Sequence, residues 1–318
     1  MDEKKQNQST SVKRRGIVYI YGFEWCNPNG DPSFDNEPRM FNDRLFISDV
    51  FLKRRIRDYV ASKGYEIFIK EIIDEKGNRR TPEKRLLELL GKDKIGDTEY
   101  KNVKEEILKK CWDLRVFGCL IPLPGKEKEE KGKSIRSIGP VQVSFGVSLN
   151  SVEKFDVSIT NVMASTEERK KGGAIGKKYV VPIAIVEHFI FVNDITAQET
   201  HMSEEDYNLL IEALKNLKMA PTVSTSSKNV TPLLIIEIEY NQDKYLNPFG
   251  IVRVFEKKDE NKEVVSLRGF EIDISQLVEL LNSEKDVVKE FKIYVKAEFK
   301  EIIKGLEIKE LKEKISYF

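Results

Sequence analysis

The side chains able to do chemistry are either scarce or crowded, and each pattern points in its own direction. With only His188 and His201 in the chain, a Ser-His-Asp or Cys-His nucleophile site has little to draw on. His188 lies inside an apolar run and reads as a satisfied core histidine, while His201 precedes a helix start and reads as a surface or capping residue. Cys26, Cys111 and Cys119 cannot all pair and form no CxxC, so they read as isolated thiols in a reducing compartment. Asp31, Asp35 and Asp43 share one loop and could face a divalent cation, but their spacing matches no calcium loop. The surrounding Asn, Gly and Pro predict a cluster of turns instead. No GxxxxGK[ST] is present, and Gly172-Gly173-x-x-Gly176 stands in no strand-to-helix setting, so nucleotide hydrolysis lacks its cradle. The expectation is no catalytic residue, no metal and no cofactor.

The cations are more informative. A phosphate backbone needs Lys and Arg at neighbouring points on a rigid surface, with glycine-bearing turns between them. Lys53, Arg54 and Arg57 form such a ridge on a helix, with Arg55 on an adjoining side, just after a loop that holds Asn27, Asn29, Gly30 and Arg39. Arg169, Lys170, Lys171, Lys177 and Lys178 form a second cluster. A solvated helix face and a soluble loop would carry the same charges.

Several elements must position these residues. Gly16–Phe23 is β-branched or aromatic at nearly every position and predicts a buried strand. Ser48 caps a helix with Leu52, Ile56 and Tyr59/Val60 on its apolar side, ended by Gly64, and 67–73 predicts a second strand. Thr81-Pro82 opens another helix ended by Gly91, and Val103, Ile107 and Cys111 mark a third that ends near Trp112. The charged stretch 125–138 reads as a solvated loop, and residues 1–15 as a frayed polar arm. Strands are expected over 140–149, 155–163, 179–192, 233–240, 251–255 and 291–297, with helices near 203–217 and 275–281. This is an α+β chain with an antiparallel-rich sheet. Its 318 residues and 40% hydrophobic content suffice for a sizeable core, while 54 basic against 53 acidic residues exclude a uniformly basic coat. No leader or membrane-length apolar run is visible, so the expected setting is cytoplasmic.

CNPNGDPSFDNEPR at 26–39, followed by SDVFLKRRIRDY at 48–59, resembles the opening of the backbone-subunit family ("Cas-seven") of type I CRISPR Cascade complexes, closest to the I-B/I-C branch. The likeness continues through DLRVFG at 113–118, GPVQVSFG at 139–146, GAIGKKYVVP at 173–182 and SEED at 203–206, spanning roughly 16–217. The resemblance implies a modified RRM-like (ferredoxin-like) palm over 16–73 and 139–318, an inserted helical region over 74–138, and a protruding thumb hairpin over 161–182. It further implies that the chain holds CRISPR RNA (crRNA) without cutting it. Copies of it would line up as a filament with other Cascade subunits and present the guide to target DNA. RNA-binding residues carried over or supported by charge are Asn27, Asn29, Arg39, Lys53, Arg54, Arg57, Gln142, Lys170, Lys171, Lys177 and Lys178, with Met163 or Ile175 as the wedge that parts bases. The alternative, from the type III backbone relatives that share the palm, is a metal-dependent endoribonuclease using Asp31.

Overall fold

The computed structural model describes residues 12–73, 76–94, 100–122, 134–160, 175–221, 229–257, 266–308, 311 and 313–318. The chain divides into two compact units. One comprises Gly16–Arg55, Val143–Phe189 and Leu214–Phe318; the other runs to Arg15 and includes Ile56–Gln142 and Ile190–Ala213.

The first unit is organised by a ten-stranded sheet. Its main path runs Ile315–Tyr317, Val288–Val295, Val230–Tyr240, Arg15–Cys26, Ile175–Val192, Gly146–Ser148, Arg44–Ile47, Met40–Phe41. Pairing is mostly antiparallel; Ile315–Tyr317 runs parallel to Val288–Val295 at the edge. Every residue from Arg15 to Phe23 is buried, and Glu24 and Trp25 emerge near the end, as expected of a β-branched and aromatic strand covered on both faces. Tyr19 and Tyr21 stack at 5.0 Å. Tyr21 Oη lies 2.9 Å from His188 Nε2, and His188 Nδ1 lies 2.8 Å from Ser144 O. A carbonyl can only accept, so Nδ1 carries the proton and Nε2 accepts from the tyrosine. Burial lowers the His188 pKa to about 4, which makes it the satisfied core histidine expected. Gly146 makes room for it: a Cβ there would lie 2.3 Å from Nε2. The neighbouring Glu187 points the other way, 1% exposed, with Oε2 accepting from Gly250 N at 3.0 Å. The expected strand 140–149 is two short ones, Val141–Val143 and Gly146–Ser148, because Ser144 turns its hydroxyl and carbonyl to Phe189 N and His188.

A hairpin leaves this sheet: Phe155–Thr160 pairs antiparallel with the start of Ile175–Val192, from Phe155↔Val180 to Thr160↔Ile175. Residues 155–158 and 176–177 are exposed on both faces. The expected thumb tip, with Met163, Lys170 and Lys171, lies outside the described residues, as does the Ile175 side chain. A three-stranded sheet, Arg253–Glu256, Phe270–Asp273 and Ile303–Lys304, completes the unit.

The helices are α1 (Asp49–Ser62), α2 (Pro82–Leu90), α3 (Tyr100–Lys110), α4 (Trp112–Phe117), α5 (Asp194–Thr200), α6 (Glu204–Lys215) and α7 (Ser275–Ser283). Their ends follow the sequence signals. Thr81 Oγ1 accepts from Lys84 N, and Gly91 closes α2 at φ +65°. Ser203 and Asp206 exchange backbone-to-side-chain bonds at 3.0 and 3.1 Å to open α6. His201 caps α5 at φ +59° and sits 2.7 Å from Glu105.

In the second unit, Leu86, Val103, Ile107, Leu114, Ile121 and Ile135 form one apolar cluster. Four expectations change here. Residues 67–73 are not a strand, because Phe68 N and Ile69 N donate to the Asp113 carboxylate at 2.8 and 3.0 Å rather than to a ladder. Ser134–Ile138 is a strand paired with Gly118–Pro122, alternating Ile135 and Ser137 inward, so only 125–133 of the expected loop lies outside the described residues. The helix expected to reach Trp112 stops at Lys110, and α4 begins after Cys111. The end of the polar arm is also ordered: Val12 is 2% exposed, Arg14 pairs with Asp194 at 2.8 Å, and Arg15 pairs with Glu204 at 2.9 Å over the Tyr207 ring.

Candidate nucleic-acid interface

The Asn27–Asp43 loop is folded by its own side chains. Gly30–Asp31 pairs with Glu37–Pro38, and the turn between them closes on Asp31 O, which accepts from Phe34 N and Asn36 N at 3.0 and 2.8 Å. Asp31 Oδ1 accepts from Ser33 N at 3.0 Å, and Oδ2 accepts from Arg39 Nε at 3.2 Å. Arg39 Nη1 then donates to Asn29 O at 2.7 Å. The loop's other end is held by Lys154 on Glu37 and by Val152 N on Asp43 O at 2.8 Å. Asn29 and Asn36 sit at φ +53° and +59°, a region that asparagine tolerates better than most residues. Gly30 has no alternative, since a Cβ would lie 2.4 Å from Asn36 O.

This loop meets the start of α1. Ser48 Oγ donates to Asn29 Oδ1 at 3.2 Å while serving as the helix cap, accepting from Phe51 N at 3.4 Å. Asn27 Nδ2 donates to Asn36 O at 2.7 Å. The result is a cleft of about 480 Å³ lined by Asn27, Asn29, Gly30, Asn36, Ser48, Val50, Phe51, Arg54, Arg55 and Lys178. Three cations face into it, and none of the residues that line it is acidic. Arg55 forms part of the floor, 4% exposed, with its guanidinium 5.4 Å from the Phe51 ring centre. The start of the helix, the asparagine-rich turn and three cations make a surface suited to a polyanion with a sugar–phosphate backbone. Cys26 beside it is no nucleophile: burial pushes its thiol up to about 11, despite the nearby Lys178 charge.

Of the expected RNA-binding residues, the cleft brings together Asn27, Asn29, Arg54 and Lys178. Arg39 is engaged inside the loop, Lys53 is paired with Asp49 at 2.9 Å one turn back, and Lys177 is on the other hairpin face, 3.6 Å from Asp156. Gln142 belongs to the second unit and closes its own turn, Nε2 donating to Gly139 O at 2.6 Å. Arg57 is a correction. Expected on an exposed ridge, it is 8% exposed, with Nε on Asp113 Oδ2 at 2.9 Å and its guanidinium 5.0 Å from the Phe117 ring centre. Asp113 is fully buried, and its remaining lone pairs accept from Phe68 N and Ile69 N. Arg57 is therefore a fold-holding charge. Lys170 and Lys171 lie outside the described residues. The sequence reading missed Arg55 and Asn36 as lining residues; the Asn-rich turn and the RR pair at 54–55 were the available signals.

The family model of CRISPR-associated protein Cas7 matches residues 13–275. A curated relative, the CRISPR-associated protein Cas7 of Haloferax volcanii, is 29% identical over 297 residues, covering 87% of this chain and 85% of that protein. Among solved structures, a chain of a CRISPR RNA-guided surveillance complex is similar over 89% of this chain and 88% of its own length, at 12% identity and TM-score 0.46. A chain of such a complex in a pre-nicking state covers 74% and 78%, at 13% identity and TM-score 0.45. No helix among the described residues is long and apolar enough to cross a membrane.

Proposed function

This chain belongs to the CRISPR-associated protein Cas7 family, and from that premise we propose that it is the crRNA-binding backbone subunit of a type I Cascade surveillance complex. In this reading, copies line up along one guide in the cytoplasm with other Cascade subunits and hold it for pairing with target DNA. The observation that carries it is the cleft, where Arg54, Arg55 and Lys178 meet beside a turn of Asn27, Asn29 and Gly30 without an acidic side chain in the lining. Phosphate contacts set position and carry no sequence information, so one protein can hold any spacer while base pairing supplies specificity. The ten-stranded sheet is read as the modified RRM-like palm, the 74–138 region as the inserted helical part, and the paired strands 155–160 and 175–180 as the stem that carries the thumb of 161–182. Lys170, Lys171 and Lys177 are placed on that thumb as further backbone contacts.

The subunit is proposed to hold RNA and not to cleave it. The rival reading, a metal-dependent endoribonuclease using Asp31, is disfavoured by the engagement of both its oxygens, one with Ser33 N and the other with Arg39. The test is to replace Arg54 and Lys178 together by Ala and measure binding of unrelated single-stranded RNAs across a salt series. Affinity should fall alike for all sequences, and the slope of log K against log salt should shrink by about 0.7 for each phosphate no longer neutralised. A weakening confined to particular sequences, or none at all, contradicts the backbone-grip assignment.

A further inference from the structure

Adjoining the cleft, within the same unit, is an apolar patch that the phosphate grip does not use. Trp25 is 50% exposed and Phe155 42% exposed, their rings edge to face with centres 6.3 Å apart. Val157, 41% exposed, follows Phe155 by two residues and so shares its face of the hairpin. Its cross-strand partner on that face is Lys178, which also lines the cleft with Arg54 and Asn27. An exposed ring pair and the cleft's cations thus form one continuous surface.

The backbone at Trp25 is unusual. Its φ is +49°, a left-handed value that a bulky aromatic residue adopts at a cost of about 1–3 kcal/mol. Both neighbours hold it there: Glu24 O accepts from Asn229 Nδ2 at 3.2 Å, Glu24 Oε1 accepts from Leu267 N at 2.9 Å, and Cys26 is fully buried. The strand's inward run ends at Phe23, and the twisted residue turns its indole toward solvent.

We propose that Trp25 and Phe155 form a stacking platform for an unpaired base of the strand whose phosphates lie along Arg54 and Lys178. The inference rests on the RNA-binding reading and adds the ligand group that this patch takes. Every nucleobase presents a π-face, so stacking is indifferent to sequence, as a holder of arbitrary guides requires. A second copy docking by a two-fold contact through the same face is the poorer occupant, since it would press Arg54 and Lys178 against their own counterparts; a head-to-tail neighbour is distinguished by the oligomeric-state measurement below.

The two tryptophans make the test direct, because Trp112 is 1% exposed and Trp25 alone faces solvent. Full-length protein is titrated with a single-stranded RNA and with an abasic sugar–phosphate strand of equal length, following indole emission and affinity. RNA should quench emission, the abasic strand should not, and Trp25→Phe should abolish the quenching while retaining most of the affinity. Trp25→Ala and Phe155→Ala should each weaken RNA binding by roughly 5- to 150-fold and leave abasic binding unchanged. Binding of RNA without quenching, or equal weakening toward both strands, overturns the platform but leaves the phosphate grip standing. Binding of neither strand by the wild-type chain removes the grip itself, and the platform with it. A change in oligomeric state of Trp25→Ala without RNA, with RNA affinity preserved, assigns the patch to the association of copies and overturns the proposal.

Discussion

In the unit containing Ile56–Gln142, buried and half-buried arginines meet carboxylates: Arg57 sits on Asp113, Arg15 on Glu204, and the half-buried Arg115 on Asp206 through two bonds of 2.7 and 2.9 Å. In the unit containing Gly16–Arg55, the cleft gathers cations with no acid in its lining, while buried Glu187 and His188 respond to burial by shifting toward their neutral forms. The change of regime occurs inside α1, between Arg54 and Arg57, two residues of the same type one turn apart. Arg57 is closed onto a buried carboxylate, whereas Arg54 lines the cleft.

The largest effect should come from Asp113→Ala. It strands Arg57 as an uncompensated buried charge and orphans two backbone amides, so urea unfolding should show a destabilisation of about 3–5 kcal/mol. If stability is kept and only RNA binding falls, the contrast between the two arginines is wrong.

Glu187→Gln probes the other regime through pH. Burial raises the Glu187 pKa to about 7, above the ordinary 4.5, with the Gly250 amide and Arg253 pulling it back in part. The folded chain therefore retains a proton that the unfolded chain has released. The contribution of Glu187 is whole below pH 4.5 and fades as pH rises through 7. His188 runs the opposite way: held at about 4 instead of 6.5, it contributes fully above pH 6.5 and gives up that contribution as pH falls toward 4. The adjacent residues offset one another. Relative to wild type, the glutamine variant should gain on the order of 3 kcal/mol between pH 4.5 and 7. Parallel pH–stability curves for the two proteins would remove the claim.

Smaller in stability but larger in function, Arg54→Ala with Lys178→Ala should leave unfolding within about 0.5 kcal/mol of wild type while weakening RNA binding. A collapse of stability would place these cations with Arg57. The smallest effect on function is expected for Asp31→Ala, which should cost about 1 kcal/mol of stability from the turn's missing hydrogen bonds, with no RNA cleavage in Mg²⁺ either before or after the change. Regular cutting that disappears in the variant would establish the nuclease reading instead.

Local signals in the sequence were sufficient wherever the competing force was also local. Thr81, Pro82 and Gly91 bound α2 through their own backbone chemistry, and the unbroken β-branched and aromatic run at 16–23 had nowhere to go but a covered strand. The misses share a cause. Residues 67–69 look like a strand until Asp113, more than forty positions on, takes their amides, and the same carboxylate withdraws Arg57 from solvent. For the cleft, the Asn-Pro-Asn-Gly-Asp turn and Arg54 were visible in the motif, as was Lys178 in a basic cluster. Arg55 was obscured by the assumption that α1 has one wet side, when most positions from Phe51 to Val60 are buried.

The placement of Arg15–Cys26 between Val230–Tyr240 and Ile175–Val192 has a consequence for synthesis. Once it leaves the ribosome, this segment waits for roughly two hundred residues before its second neighbour emerges, tens of seconds at ordinary elongation rates. For most of that interval, until Ile175–Val192 follows, a dozen mostly apolar and aromatic residues lack a ladder, and Lys13, Arg14 and Arg15 stand at their head as charged gatekeepers against premature association.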